Sequence, residues 1–153
     1  MNAPPFRTHM HAALARAEAA AACGETPVGA VLVSPAGEVL AAAGNRVRTD
    51  ADPTAHAEML VLRAAAARLG AERLTGCDLY VTLEPCPMCA GAIAHARIRR
   101  LYYGAEDPKG GGVAHGARVF AHPTCHHAPE VYGGIDEARS AALLRDFFRA
   151  RRA

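Results

Sequence analysis

Between Asp78 and Ala96 the chain reads D-L-Y-V-T-L-E-P-C-P-M-C-A-G-A-I-A-H-A, and this junction constrains the fold more than any other stretch. D-L-Y-V-T-L (78–83) has the composition of a strand and ends at Glu84-Pro85. Pro87 suits the first position of a short helix over 87–96, where a missing N–H costs nothing. A strand therefore runs almost directly into a helix. The flanking segments extend the pattern. Residues 8–22 suit a helix stopped at Gly24, and V-G-A-V-L-V (28–33) and E-V-L-A-A-A-G (38–44) flank the turn sequence S-P-A-G as a β-hairpin. Residues 54–69 carry apolar side chains at helical spacing and close at Gly70. R-R-L-Y-Y-G (99–104) is another strand, E-V-Y (130–132) a last short one, and 136–152 a helix with apolar Ala138, Ala141, Leu144, Phe147 and Phe148. The order predicts an α/β protein, a three-layer α/β/α sandwich whose mixed five-stranded sheet carries helices on both faces.

A chain of 153 residues favours one domain over 1–153, large enough to bury about 68–70% of its unfolded surface without disulfides. Half its residues are apolar and a fifth charged, the balance of a soluble globular protein. No apolar run approaches the ~20 residues of a membrane span; the longest, Ala17 to Cys23, is broken by Glu18. M-N-A-P-P-F-R lacks the plan of a signal peptide. A cytoplasmic protein with reduced thiols is expected, so its five cysteines are read as metal or redox chemistry before disulfides. A net charge of +2 does not make the whole molecule a polyanion binder. Two clusters, Arg97/Arg99/Arg100 and Arg145/Arg149/Arg151/Arg152, are either solvated faces and helix ends or a phosphate-binding rim. D-P-K-G-G-G (107–112) is a mobile loop by composition, and without G-x-x-x-x-G-K-[ST] it is not a phosphate cradle.

Cys86 and Cys89 form a C-x-x-C pair, which alone fits half a zinc site, a redox pair or chance. The surroundings are not thioredoxin-like, and Cys23, Cys77 and Cys125 are too scattered to complete a four-cysteine site. One further soft ligand would give three protein ligands and an open position for water, and His56 in D-P-T-A-H-A-E can supply it. Both segments open helices, with Asp52 or Thr54 able to cap the first, and helix N-termini favour thiolate over thiol. His plus two thiolates suits zinc. Glu58, costly if buried alone, then has a role as acceptor of a proton from water whose pKa zinc lowers to about 7.

The H-x-E…P-C-x-x-C pattern is the signature of zinc nucleobase deaminases, and the match is wider than the signature. P-V-G-A-V-L-V (27–33), G-N-R (44–46), D-P-T-A-H-A-E (52–58), L-Y-V-T-L-E-P-C-x-M-C-A-G-A (79–92), Y-G-A-x-D-P-K (103–109) and A-A-L-L-x-D-F-F-R-x-R-R (141–152) resemble the tRNA-specific adenosine deaminases of the cytidine/deoxycytidylate deaminase superfamily. The resemblance implies a cytidine-deaminase-like fold, a homodimer, one zinc per subunit, and hydrolytic conversion of the wobble adenosine of a tRNA anticodon to inosine. It implies His56, Cys86 and Cys89 as zinc ligands and Glu58 as proton shuttle, with zinc hydroxide as nucleophile. It further implies Asn45 and the Ala57 backbone on the purine, Val28 and Leu83 lining the pocket, and Asp107 and Lys109 on flanking nucleotides. The final helix, with Phe147, Phe148, Arg149, Arg151 and Arg152, would face the anticodon stem-loop. By the residues alone Asn45 is a turn residue, and at most one of the two adjacent phenylalanines faces RNA. H-P-T-C-H-H (122–127) invites a second metal site but has no separated partner. The rival readings are a free guanine or cytosine deaminase on the same fold and a non-catalytic zinc-stabilised RNA-binding module.

Overall fold

The computed structural model describes residues 5–152. Its elements are α1 (Pro5–Ala22), β1 (Gly29–Val33), β2 (Val39–Gly44), α2 (Ala57–Leu69), β3 (Asp78–Leu83), α3 (Pro87–His95), β4 (Arg100–Ala105), β5 (Glu130–Tyr132) and α4 (Glu137–Arg152). A short 3-10 turn at Val119–Ala121, without a sequence signal, interrupts the long β4–β5 connection. The sheet runs β2-β1-β3-β4-β5. β1 pairs antiparallel with β2 and β3, while β3–β4 and β4–β5 are parallel. The expected mixed five-stranded sandwich is therefore the observed one.

Each face of the sheet buries a different set of alternate residues. Toward α2 and α3, Ala30, Leu32, Leu79, Val81, Leu101 and Tyr103 pack with Val61, Leu62 and Ile93. Toward α1, Val31, Val33 and Tyr80 pack with Met10, Ala13 and Leu14. α4 lies on this second face as well, its Ser140 against Gly104 of β4. α1 approaches the hairpin so closely that a side chain at Gly29 would collide with the carbonyl oxygen of Ala13. One at Gly44 would lie 2.7 Å from the Arg16 carbonyl oxygen and 2.9 Å from the Ala20 Cβ. The alanines of α1 are thus a packing requirement, since only small residues permit this spacing.

Two element boundaries depart from the sequence expectation in ways that bear on function. α2 begins at Ala57, not at residue 54. Asp52 does not cap it: the Asp52 carboxylate accepts the Thr54 N–H and hydroxyl, closing a turn of its own. His56 becomes the N-cap residue in extended conformation, with no capping bond from its side chain. Cys86 occupies the equivalent position before α3, with Pro87 next, as expected.

Candidate active site

Two helices begin at the same point, and their leading residues meet. His56 Nδ1 lies 3.6 Å from Cys86 Sγ and 3.5 Å from Cys89 Sγ. A tetrahedral zinc with Zn–S of about 2.3 Å and Zn–N of about 2.0–2.1 Å requires N and S about 3.6 Å apart. The three donor atoms all fall within 4.8 Å of one another, the one such grouping of His, Cys, Asp and Glu among the described residues. Electrostatics agree with the geometry. The Cys86 thiol is held down to about 4, first by the hydrogen bond from Cys89, and His56 is raised, first by its bond to Cys86. The Cys89 thiol is pushed far up because it donates to Cys86 and is buried. Two sulfurs sharing one proton in a buried site is an arrangement that a divalent cation would replace with two thiolates. The donor set fits zinc.

Glu58 is 4% exposed, in the first turn of α2. Burial pushes its carboxyl up to about 7, with the Cys86 charge adding to the effect. His56 and Glu58 do not share a helix face and need not, since the helix meets the site end-on.

A cleft of about 410 Å³ opens above these residues. It is lined by His56, Glu58 and Cys86, and it also collects Val28, Asn45, Leu83 and Asp107 from four separate segments. Lys109 borders an adjoining groove of about 440 Å³, shared with Leu83, Asp107, Leu144 and Phe148. Ala57 is buried, and its N–H donates to Asn45 Oδ1 at 2.8 Å, so Asn45 provides the cap that Asp52 does not. Asp107 Oδ1 accepts the Lys109 and Gly110 N–H groups, shaping its own loop. On α4, Phe148 is the exposed ring at 46%, while Phe147 is half-buried with the Arg151 guanidinium 4.4 Å above it. Arg151 donates to the Gly24 carbonyl, and Arg152 to that of Phe148. Arg149 is exposed.

Arg99 and Arg100 at the start of β4, and the histidines beyond the strand, make local bonds. Arg99 is bidentate on Asp78 and Arg100 bonds Glu130, so both guanidiniums are engaged with carboxylates of the neighbouring strands, a pairing that neither reading of that cluster anticipated. His122 and His127 donate to the carbonyls of Ala117 and Ile98. Two cleft residues carried no sequence signal, the buried carboxylates Glu25 and Glu84. Glu25 accepts the Arg48 and Thr49 N–H groups and the Thr49 hydroxyl. Glu84 is bonded throughout to the 107–115 loop. A lone glutamate near a proline reads as a loop residue at the surface, and only the fold reveals that backbone amides converge on it.

Fold and donor set together place the chain in one class, hydrolytic deaminases built on a His/Cys/Cys metal site with a glutamate that is not a ligand. Comparison narrows the class. Residues 6–105 match the cytidine and deoxycytidylate deaminase zinc-binding region, and the chain belongs to that family. It is 60% identical over 147 residues to the tRNA-specific adenosine deaminase of Agrobacterium fabrum, covering 95% of this chain and 96% of that one. A solved structure from a study of A-to-I editing by tRNA:A34 deaminases superposes with a TM-score of 0.88 at 59% identity, over 90% of this chain and 99% of the other. The guanine deaminase of Bacillus subtilis is more distant, at 34% identity and a TM-score of 0.65 over 99% and 94% of the two chains.

Proposed function

We propose that this chain is a single-domain tRNA adenosine deaminase that converts the wobble adenosine, position 34, to inosine, acting as a homodimer in the cytoplasm with one zinc per subunit. Glu58 carries the catalytic part of the reading. A zinc site that merely stabilised an RNA-binding module would close its fourth position with a protein ligand and would leave no reason to bury a carboxylate beside the ligands. The substrate follows from the end-to-end likeness to tRNA-specific adenosine deaminases. No helix among the described residues is long and apolar enough to cross a membrane.

His56, Cys86 and Cys89 would hold the metal, which supplies the Lewis acid that makes water nucleophilic at neutral pH. The target base leaves the anticodon loop, whose bases are already partly unstacked, and enters the cleft between Val28 and Leu83. Glu58 takes a proton from the attacking water and delivers it to purine N1 as the water oxygen adds at C6. A second transfer by Glu58 protonates the exocyclic amine, ammonia departs, and inosine remains. Asn45 and the Ala57 backbone orient the purine, Asp107 and Lys109 meet the flanking nucleotides, and Arg149, Arg151 and Arg152 of α4 contact phosphates. Phe148 stacks on a base, a role that its exposure supports.

The likeness to a guanine deaminase favours a second reading, hydrolysis of a free base. One assay separates the two. Purified protein incubated with an A34-containing anticodon stem-loop should form inosine and release ammonia. Ammonia from free guanine with no inosine from the stem-loop would overturn the tRNA assignment. Light scattering should give the mass of two chains.

A further inference from the structure

Glu84 stands two residues before a metal ligand, yet the deamination chemistry gives it no part. Its side chain is fully buried. Oε2 accepts the N–H groups of Val113, Ala114 and His115 at 3.1, 3.0 and 3.1 Å. Oε1 accepts the Asp107 N–H at 3.1 Å and His115 Nδ1–H at 2.8 Å. Three successive amides converging on one oxygen form a nest for an anion. The residues just after the glycine run cradle an anion, and that anion belongs to the chain itself.

The glycines are needed for it. A side chain at Gly111 would collide with Glu84 Oε2 and lie 2.5 Å from the Asp107 carbonyl oxygen. One at Gly112 would lie 2.6 Å from the Pro87 nitrogen. Gly112 N–H donates to the Pro85 carbonyl at 2.8 Å, which draws the same loop onto the start of α3. The tethered loop carries Asp107 and Gly110 into the cleft and Lys109 into the adjoining groove.

We propose that Glu84 is a positioning residue for RNA, an internal anion that fixes the 107–115 loop so that its Asp107–Gly110 wall meets the nucleotides beside the target base. The inference rests on the tRNA reading above. It differs from a role for Glu84 in supporting Cys86, because the bonds its carboxylate makes all go to the loop. Acting through the loop, it should govern binding of the polynucleotide more than the chemical step.

The test uses the full, zinc-loaded chain. Glu84→Gln keeps the shape but places an NH2 group where donors converge, so the Oε1 bonds from Asp107 and His115 are disrupted. KM for the anticodon stem-loop should rise about ten- to a hundredfold, the weight of one or two bonds to a charged group. The kcat should stay within about threefold, with zinc content unchanged and trypsin cutting after Lys109 faster than in the parent. Gly111→Ala displaces the loop while leaving the carboxylate in place and should reproduce the KM rise and the faster cleavage. If Glu84→Gln does not fold, Gly111→Ala decides alone. Parent-like KM and cleavage in the variants would overturn the proposal, as would zinc and kcat falling together at constant KM. A parent protein that forms no inosine defeats the tRNA reading instead, and the two failures are told apart by that control.

Discussion

Asn45→Ala removes the acceptor that opens α2. The Ala57 N–H is buried, bonds Asn45 Oδ1 at 2.8 Å, and has no substitute, because His56 at the N-cap makes no capping bond and Asp52 is engaged with Thr54. An N-cap removed by alanine costs about 0.5–2 kcal/mol, and a buried donor left unpaired about 1–3 kcal/mol. These describe one event, so a loss of about 1–2 kcal/mol is expected. At about 2–4 °C per kcal/mol for a chain of this length, Tm should fall by about 2–8 °C. Ala57 directly follows His56, the proposed zinc ligand, so zinc affinity should weaken as well, by about tenfold as for other residues that orient a metal ligand. Unfolding followed by circular dichroism at fixed free zinc, with a chelator-competition titration, measures both. Asn45→Asp restores an acceptor at a helix N-terminus, where a carboxylate is favoured, but not the amide donor. It should recover Tm without recovering inosine formation. An unchanged Tm in Asn45→Ala, or an Asn45→Asp as unstable as the alanine variant, would refute the reasoning.

Other expectations follow from the same geometry. Glu58→Ala should abolish inosine formation while elemental analysis still finds zinc, whereas Cys89→Ala should lose the metal; zinc retained by the second variant would show the ligand assignment to be wrong. Gly29→Ala drives a methyl group into the Ala13 carbonyl, a backbone atom that cannot rotate away, and should cost about 3 kcal/mol or more by urea unfolding. Burial alone would raise the Glu25 carboxyl, but the Thr49 hydroxyl and the Thr49 and Arg48 amides outweigh it and hold the pKa below its ordinary value. A carboxyl depressed by folding stabilises above its unfolded pKa of about 4.3, and that contribution disappears as pH falls through the folded value. Glu25→Gln should therefore flatten the acid limb of the stability profile, and a limb of unchanged slope would count against the role given to Glu25.

The parts of the site that could be read from the chain are those whose chemistry is carried by neighbours in sequence. Cys86 and Cys89 are one helical turn apart, His56 and Glu58 are separated by one residue, and the prolines mark where α3 starts. What escaped is carried by contacts distant in sequence. The expected cap of α2 was sought in Asp52 or Thr54 because caps are local, whereas the operative oxygen comes from Asn45, twelve positions before Ala57 at the end of β2. The 107–112 run looked mobile because glycine and proline weaken local preference; its order comes from a glutamate on another strand's end. Arg99 and Arg100 looked available to phosphate until the parallel register of β4 with β3 and β5 set them beside Asp78 and Glu130. Choosing between Phe147 and Phe148 required knowing which side of α4 rests on the sheet.

The glycine–alanine contact behind the hairpin has a consequence for how the chain tolerates change. Gly44 rests on α1, Asn45 is the next residue, and Asn45 holds the first amide of the helix whose preceding residue is His56. Helix-to-sheet spacing on the closed side of the molecule is thereby geared to the placement of His56, the proposed metal ligand, on the open side. A bulkier residue at Ala13 or Ala20 would lift the hairpin and surface as a zinc defect, although α1 contributes no residue to the His56, Cys86 and Cys89 cluster. Screens that sort variants by distance from the cleft would misfile such substitutions; sorting by whether they thicken this layer would not.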